Sequence, residues 1–200
     1  MLLLFAAAAS ALSAPEPKKP GSWWSYDDVP TQMLQDEVTY IVGYSLVVDP
    51  QGKIRECRIE STSGLPQLDK YTCKLATRRA RLDPATNAAG EPVFGAYRQY
   101  ASFWMGDTFP KPREDWGDLK VTVAAARIPD GKTKHVWLAL SVDAVGIPTD
   151  CVPTKREKEF QLAQDVCPAA MANLRLPPVL DDKGTYVPSV QNVAISVSPR

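Results

Sequence analysis

Four cysteines are the residues of this chain whose type and spacing point most directly to chemistry. Cys57 and Cys73 lie sixteen residues apart, and Cys151 and Cys167 repeat the same separation. Cysteine thiols bind zinc, exchange electrons or close structural disulfides. No C-x-x-C pair is present and His135 is the only histidine, so zinc ligation and redox chemistry are the weaker alternatives. The spacing favours structural disulfides.

Outside the cysteines, residues that could act in catalysis are sparse. His135 lies in an apolar stretch, and no G-x-S-x-G nucleophile motif accompanies it. The pairs Asp27-Asp28 and Asp181-Asp182 stand in turn-like segments, where solvated loops explain them. No G-x-G-x-x-G or Walker pattern indicates a nucleotide site. We therefore predict a protein that is not an enzyme and needs no cofactor or metal; a catalyst or small-ligand protein using a groove between modules is the weakest alternative.

The composition excludes few classes of protein but argues against one of them. Of the 200 residues, 44% are hydrophobic and 23% are charged, which is enough to bury a core. Lysine plus arginine equals aspartate plus glutamate at 23 each, so the formal charge is zero. Proteins that bind nucleic acid usually carry a basic surface. The composition therefore argues against a nucleic-acid partner.

A repeat sets the positions of the cysteines. When the sequence is shifted by 94 positions, fifteen residues are identical over positions 42–93 without a gap. The identities include both cysteines, the turn glycine and an R-L-x-P corner, which chance rarely matches together. We interpret the chain as two copies of one module. Among the three pairings that four cysteines allow, equal spacing in each copy favours Cys57 with Cys73 and Cys151 with Cys167.

Each copy has the pattern of two strands, a helix and a third strand. β-branched and aromatic residues flank a glycine-containing turn, which predicts a hairpin. Apolar residues at i, i+3 and i+4 steps follow, which predicts a helix, although Pro168 should kink or shorten the second one. The predicted fold class is α+β, with two tandem β-β-α-β modules, each a small antiparallel sheet and one packed helix. The modules span residues 28–106 and 118–200, joined by a linker at 107–117.

The amino-terminal segment has the composition of an export signal. An apolar run passes into small residues and then into prolines and lysines, as in the cleavage region of a secretory signal. An A-x-A pattern occurs at Ala9-Ser10-Ala11, and Ala14 is a second cleavage candidate directly before Pro15. The run is shorter than the ~20 residues that a membrane-spanning helix needs. We predict a signal peptide at 1–14, a linker at 15–27 and a periplasmic or secreted protein, a compartment in which disulfides persist.

An aromatic cluster follows the signal. The stretch "SWWSYDD" contains Trp23, Trp24 and Tyr26. Rings of this size bury much apolar area in cores and at interfaces. We expect them to pack onto the first module, with a ligand or partner surface as the alternative.

The order of motifs in the first copy resembles the TonB carboxy-terminal domain family. The stretch "VPTQML…GYSLVVDPQGKIRECRIESTSGLPQLDKYTC…RRARLDPATNAAGEPV" has the family's proline-led segment, a strand to an acidic-x-x-Gly turn, an "SSG…LD" stretch, a helix, a proline-alanine corner and a last strand. The resemblance covers about residues 28–105, and the second copy, about 118–198, resembles the family more faintly because it lacks the SSG signature. The matching positions are Pro30, Asp49, Gly52, Ser61, Ser63, Gly64, Leu68, Asp69, Pro84, Ala85, Gly90 and Pro92.

The resemblance implies a periplasmic domain that engages outer-membrane receptors by pairing a strand edge with a short receptor segment. In such β-augmentation, backbone hydrogen bonds give affinity and alternating side chains give selectivity. The predicted function is binding of envelope proteins or peptides, outer-membrane receptors among them, and the oligomeric state stays open. An alternative is that the last strands pair internally or with the other module. The candidate partner-binding residues lie on the last strands: Tyr97, Gln99 and Ala101 in the first copy, and Gln191, Val193 and Ile195 in the second.

A TonB-like energy transducer is the alternative function that the resemblance implies. It would keep the amino-terminal run as an inner-membrane anchor, face the periplasm and take part in receptor-mediated transport. Such transducers also need a long proline-rich spacer, and "APEPKKPGS" supplies only a fragment of one. We therefore favour the exported binding protein over the anchored transducer.

Overall fold

A computed structural model describes residues 11–25, 28, 38–104 and 117–200. Three predicted features lie outside these residues: the apolar run of the signal, Pro30 of the family pattern, and nearly all of the linker at 107–117. Among the described residues, short 3-10 helices occur at Pro20–Ser22 and Ala125–Arg127. The longer helices are α1 (Pro66–Arg79) and α2 (Phe160–Asn173). The strands are β1 (Glu16–Pro17), β2 (Tyr40–Val48), β3 (Ile54–Ser61), β4 (Leu82–Asp83), β5 (Ala85–Thr86), β6 (Pro92–Val93), β7 (Gly95–Phe103), β8 (Leu119–Val123), β9 (Lys134–Val142), β10 (Pro148–Pro153), β11 (Val179–Leu180), β12 (Tyr186–Val187) and β13 (Ser189–Pro199).

The second half of the chain repeats the elements of the first. Strand β9 and helix α2 begin and end 94 residues after β2 and α1, and β13 begins 94 residues after β7. Both halves run β-β-α-β, which confirms the predicted α+β fold class. Pro168 does not shorten the second helix, because both helices have 14 residues, and the expected kink stays a prediction. The helix continues past Pro168 with one hydrogen bond fewer, because proline has no N–H to donate to the carbonyl four residues earlier.

The main sheet joins the two halves. Its strand order is β10-β9-β13-β7-β2-β3, and β8 also pairs with β13. Within each half the hairpin and the last strand are antiparallel. The halves meet where β13 runs parallel to β7, with Val190 opposite Gly95 and Gln191 opposite Ala96. The last strands of the two halves therefore pair with each other, which is the alternative that the sequence left open.

The two helices cover opposite faces of this sheet. Helix α1 packs with the even-numbered residues of β2 and with Tyr97, whereas α2 packs with the even-numbered residues of β9 and with Val193. The parallel register brings Asn192 opposite Tyr97, so both side chains lie on the same face. Since neighbouring residues alternate between faces, Val193 lies on the other face from Tyr97. Each half has its own core, and a third, smaller cluster lies between the halves.

A disulfide connects the hairpin of each half to its helix. Cys57 on β3 is bonded to Cys73 on α1, and Cys151 on β10 is bonded to Cys167 on α2. The Cα atoms of the two pairs are 5.6 and 5.8 Å apart, within the usual range for a disulfide. The repeat predicts this pairing.

The first hairpin turn depends on an aspartate and a glycine. Asp49, which is 1% exposed, accepts hydrogen bonds from the backbone N–H groups of Gln51 and Lys53, at 2.9 and 2.8 Å. Gly52 has a φ of 79°, where a side chain would be strained. The second half repeats this turn with Asp143 and with Gly146 at a φ of 92°. The acidic-x-x-Gly pattern is thus a turn motif in both halves.

The start of α1 is organised around one buried carboxylate. Asp69 accepts hydrogen bonds from the Thr62 hydroxyl at 2.5 Å and from the Ser63 N–H and hydroxyl at 2.9 and 2.7 Å. These groups come from the family's "SSG…LD" stretch, so that motif fixes the path from β3 into the helix. Burial raises the pKa of Asp69, but the hydrogen bonds from Thr62 and Ser63 outweigh it and hold the pKa below its ordinary value.

We expect the Asp69 interactions to stabilise the protein at neutral pH and to fail in acid. A carboxyl whose folded-state pKa is depressed contributes stability above its unfolded value of 3.8, and this is lost as the pH falls through the folded value. Thermal melts should therefore show that Asp69→Asn lowers the Tm most at pH 7, with the gap from the wild type shrinking below about pH 4. Asp182→Asn, at a side chain that is 62% exposed, is the control and should shift the Tm little. A gap that is the same at both pH values would contradict the prediction.

Candidate partner-binding site

The predicted partner-binding residues of the first copy lie on β7, in the stretch that pairs with β2. Tyr97, Gln99 and Ala101 are opposite Leu46, Tyr44 and Val42 of β2. Tyr97 and Ala101 are 7% and 5% exposed and belong to the core of the first half. Burial raises the pKa of the Tyr97 phenol above its ordinary value, so it stays neutral and its hydroxyl accepts a hydrogen bond from Gln99. These side chains are therefore mainly part of the fold.

The other side of β7 is only partly paired. Strand β13 reaches it at Gly95 and Ala96, and the side chain of Asn192 then continues the pairing at Arg98. The amide of Asn192 accepts from the Arg98 N–H at 2.6 Å and donates to the Arg98 carbonyl at 3.0 Å. The next N–H that points this way, that of Tyr100, donates to the side-chain oxygen of Gln99 at 2.9 Å.

These hydrogen bonds establish which backbone groups of β7 point outward. In an antiparallel pair the N–H and C=O of alternate residues face the neighbouring strand. Since the N–H groups of Arg98 and Tyr100 bond to side chains, the backbone of Arg98, Tyr100 and Ser102 points away from β2. No described strand pairs with β7 on this side from Ala101 to Phe103. We call this stretch, Ala101–Phe103, the open edge.

The predicted residues of the second copy are not at an edge. Gln191, Val193 and Ile195 pair with β9 on one side, and all three are at most 1% exposed. On the other side β13 pairs with β7 and, from Ile195 onward, with β8. The expectation of an edge in the second copy is therefore wrong. The physical reason is β8, an additional strand ahead of the hairpin of β9 and β10, which covers this side of β13.

Asp118 fills the gap that remains between β7 and β8. Its N–H donates to the carbonyl of Ala194 at 2.7 Å, and its carboxylate accepts from the Ala194 N–H at 2.8 Å. The same carboxylate accepts from the guanidinium of Arg98 at 2.8 Å, and Arg98 also lies 3.8 Å from Glu60. The Arg98 side chain is only 12% exposed. This charged cluster closes the end of the open edge that is nearest to β13.

Residues 11–25 pack against both halves instead of forming a free linker; we call residues 11–23 the strap. Ser13 exchanges backbone hydrogen bonds with Thr86 at 3.0 and 2.9 Å. The strap then pairs β1 with β4, and the carbonyl of Pro17 accepts from Arg156 of the second half at 2.8 Å. Trp23, at its end, is 2% exposed in the core of the first half.

Trp24 and Asp28, which follow the strap, also contact the first half, whereas Tyr26 and Asp27 lie outside the described residues. The ring of Trp24 lies edge-on to the rings of Tyr44 and Phe103, at centroid distances of 6.0 and 5.8 Å. Asp28 is paired with Arg79 at the end of α1, and this contact holds the pKa of Asp28 below its ordinary value. Trp23 and Trp24 thus pack onto the first module as predicted, whereas Asp28 is not the solvated carboxyl that the sequence suggested.

A small pocket lies where the strap passes between the halves. It has a volume of about 190 Å³ and is lined mainly by prolines of the strap, Tyr97 and Trp137. The guanidinium of Arg156 at this pocket contacts Glu16 and the carbonyl of Pro17. Its polar groups thus bind other parts of the fold, and it holds no arrangement of nucleophile and base. Within the described residues, no group of three or more His, Cys, Asp or Glu could hold a metal ion.

Membrane-spanning helices were sought in the part of the chain that the structure describes. None of its helices has the length and apolar character to cross a bilayer. The predicted apolar run lies outside this part.

Comparison with known families identifies the part of the chain that contains the open edge. Residues 33–103 match the family model described as Gram-negative bacterial TonB protein C-terminal. The match includes β2, β3, α1 and β7, and it ends at the last residue of the open edge. No curated protein and no solved structure gave a match to the chain.

Proposed function

We propose that the chain is an exported envelope protein that binds a protein or peptide partner, because residues 33–103 match the family model described as Gram-negative bacterial TonB protein C-terminal. Domains of this family are non-enzymatic and interact with outer-membrane receptors and other envelope proteins. The coarse function is therefore that of a TonB-like protein in envelope transport. The finer proposal is that the partner adds a strand to the open edge of β7.

The open edge is the observation that supports strand addition. Ser102 directs its backbone groups away from β2, and no described strand pairs with them. Backbone groups at a strand edge are a template for an added strand. A segment of three residues, about 10 Å long, fits the length of the edge.

The second half supports the proposal as a scaffold. We propose that it is a divergent copy of the same module, because its elements repeat at the same spacing and its disulfide lies in the same place. Its last strand and Asn192 cover the beginning of the β7 edge and leave only the far end for a partner. The two disulfides favour an oxidising compartment, such as the periplasm or the exterior.

Photocrosslinking in intact envelopes tests the proposed site. We expect a photoreactive amino acid at Ser102 to capture a partner and the same group at Thr122, an exposed position on β8, to capture none. In a second experiment the photoreactive group is placed at Gln99. Ser102→Pro should abolish the capture from this position, because proline removes the N–H that points outward and leaves the hydrogen bonds between β7 and β2 in place. Ser102→Ala, which keeps that N–H, should leave this capture unchanged.

Two results would contradict the strand-addition proposal. One is equal capture at Ser102 and Thr122, and the other is binding that survives Ser102→Pro in a protein with an unchanged Tm. Capture from β3 or β10, the two outermost strands of the sheet, would move the site to another edge. The anchored transducer is tested separately, because it requires the amino-terminal run to be found in the inner membrane.

A further inference from the structure

The strap distinguishes between the two cleavage sites that the sequence offers. Ala11 is exposed, whereas Leu12, Ser13 and Ala14 are 5%, 4% and 4% exposed. The change from exposed to buried thus falls between Ala11 and Leu12. Cleavage after Ala11 leaves every buried residue of the strap in the mature chain, whereas cleavage after Ala14 removes three of them.

The three buried residues hold the two halves together. Leu12 and Ala14 belong to the cluster between the halves, where they pack with Ala85 of the first half and with Ala139 and Val190 of the second. Without them these apolar side chains would lose their cover. The paired backbone hydrogen bonds between Ser13 and Thr86 would be lost as well.

Cleavage after Ala11 removes less of the fold. Ala11 makes two contacts with the described residues: its N–H donates to the carbonyl of Ala88 at 3.3 Å, and its carbonyl accepts from the Thr86 hydroxyl at 2.5 Å. Both lie at the exposed end of the strap, where water can replace them.

The residues next to the two candidate cleavage bonds also favour cleavage after Ala11. Export signals end in small residues at the first and third positions before the cut. A cut after Ala11 has Ala11 and Ala9 at these positions, whereas a cut after Ala14 has Leu12 at the third position and Pro15 directly after the bond. We infer that the peptide bond between Ala11 and Leu12 is hydrolysed on export. Water adds across that bond, Ala11 leaves as the carboxylate end of the signal, and Leu12 becomes the new amino terminus.

Three substitutions upstream of the mature fold test this inference, which rests on the export proposed above. The full chain is expressed in a Gram-negative host, fractionated, and the amino terminus is sequenced. We expect Leu12 as the first residue of the periplasmic protein. Ala11→Leu and Ala9→Leu should each cause the uncleaved precursor to accumulate at least tenfold, and Ser10→Leu, at the position that A-x-A leaves open, should be processed like the wild type.

The outcomes separate this inference from the proposed function. A periplasmic protein that begins at Pro15, or at any residue other than Leu12, overturns the cleavage site and leaves export and strand binding standing. Efficient processing of Ala11→Leu overturns it too. A chain that keeps the run in the inner membrane overturns both cleavage and export, and favours the anchored transducer.

Discussion

Replacement of Trp23 by alanine is expected to lower the free energy of unfolding by about 3–5 kcal/mol, as for other buried tryptophans. The indole is 2% exposed and meets the ring of Tyr97 edge-on at a centroid distance of 6.0 Å. Its N–H donates to the carbonyl of Lys18 at 3.1 Å. Alanine would leave a cavity beside β7 and release the end of the strap. Urea unfolding followed by circular dichroism measures the effect.

Two further variants serve as controls for Trp23. Trp23→Phe keeps most of the apolar area and loses the hydrogen bond to Lys18, so a loss of about 1 kcal/mol is expected from the bond. Trp24→Ala removes a ring that is only partly buried and should cost less than Trp23→Ala. A Trp23→Ala protein as stable as the Trp24→Ala protein would show that the strap is not held by this side chain.

Removal of either disulfide is the second large effect. The double variant Cys57→Ser/Cys73→Ser and its counterpart Cys151→Ser/Cys167→Ser should each lose about 3 kcal/mol, the value that loop entropy assigns to a loop of this length. Each bridge ties an outer strand of the sheet to a helix, so its loss frees both elements in the unfolded chain. Urea unfolding of the two double variants and of the quadruple variant measures the losses.

The disulfide prediction has an internal control. A reductant should destabilise the wild type by about as much as the quadruple substitution does, and it should have no effect on the quadruple variant. Peptide mapping of the unreduced protein must show the bridges within each half. A link between Cys57 and Cys151 would contradict both the pairing and the repeat.

The repeat is the part of this fold that the sequence reveals best. The shift of 94 positions aligns β2 with β9 and α1 with α2 to the residue, because identical turn and cysteine positions hold the two copies in register. Disulfide pairing follows from the same alignment. Burial of Trp23 is also predictable, because its ring is large and apolar.

The joint between the halves cannot be predicted in this way. Gly95 is where they meet: a Cβ atom there would lie 2.6 Å from Pro15 and 2.7 Å from the carbonyl of Val190. In the sequence nothing marks Gly95, at the start of the predicted last strand, as a contact point between the two copies. Likewise, no local pattern shows that Arg98 is paired with Asp118 and with Asn192, which is 94 residues away. Such contacts depend on how the two modules are placed relative to each other, and the periodicity of the sequence does not encode that placement.

The choice of β7 for partner binding stays a prediction, and the sequence could not show which backbone groups of β7 point outward. Because side chains and backbone groups alternate along a strand, a shift of one residue reverses which groups point outward. The sequence indicated Tyr97, Gln99 and Ala101, whereas the outward groups belong to Arg98, Tyr100 and Ser102. Only the register against β2 decides between these sets.

The short parallel seam between β7 and β13 determines how the molecule responds to mechanical force. A pull along β7 is resisted in shear by nine residue pairs with β2 but by only two pairs with β13. The backbone pairing of the seam is thus the weaker of the two, and the strap and the contacts of Arg98 with Asn192 and Asp118 bear the rest of the load between the halves. The bridge between Cys57 and Cys73 keeps the chain between these two residues from extending.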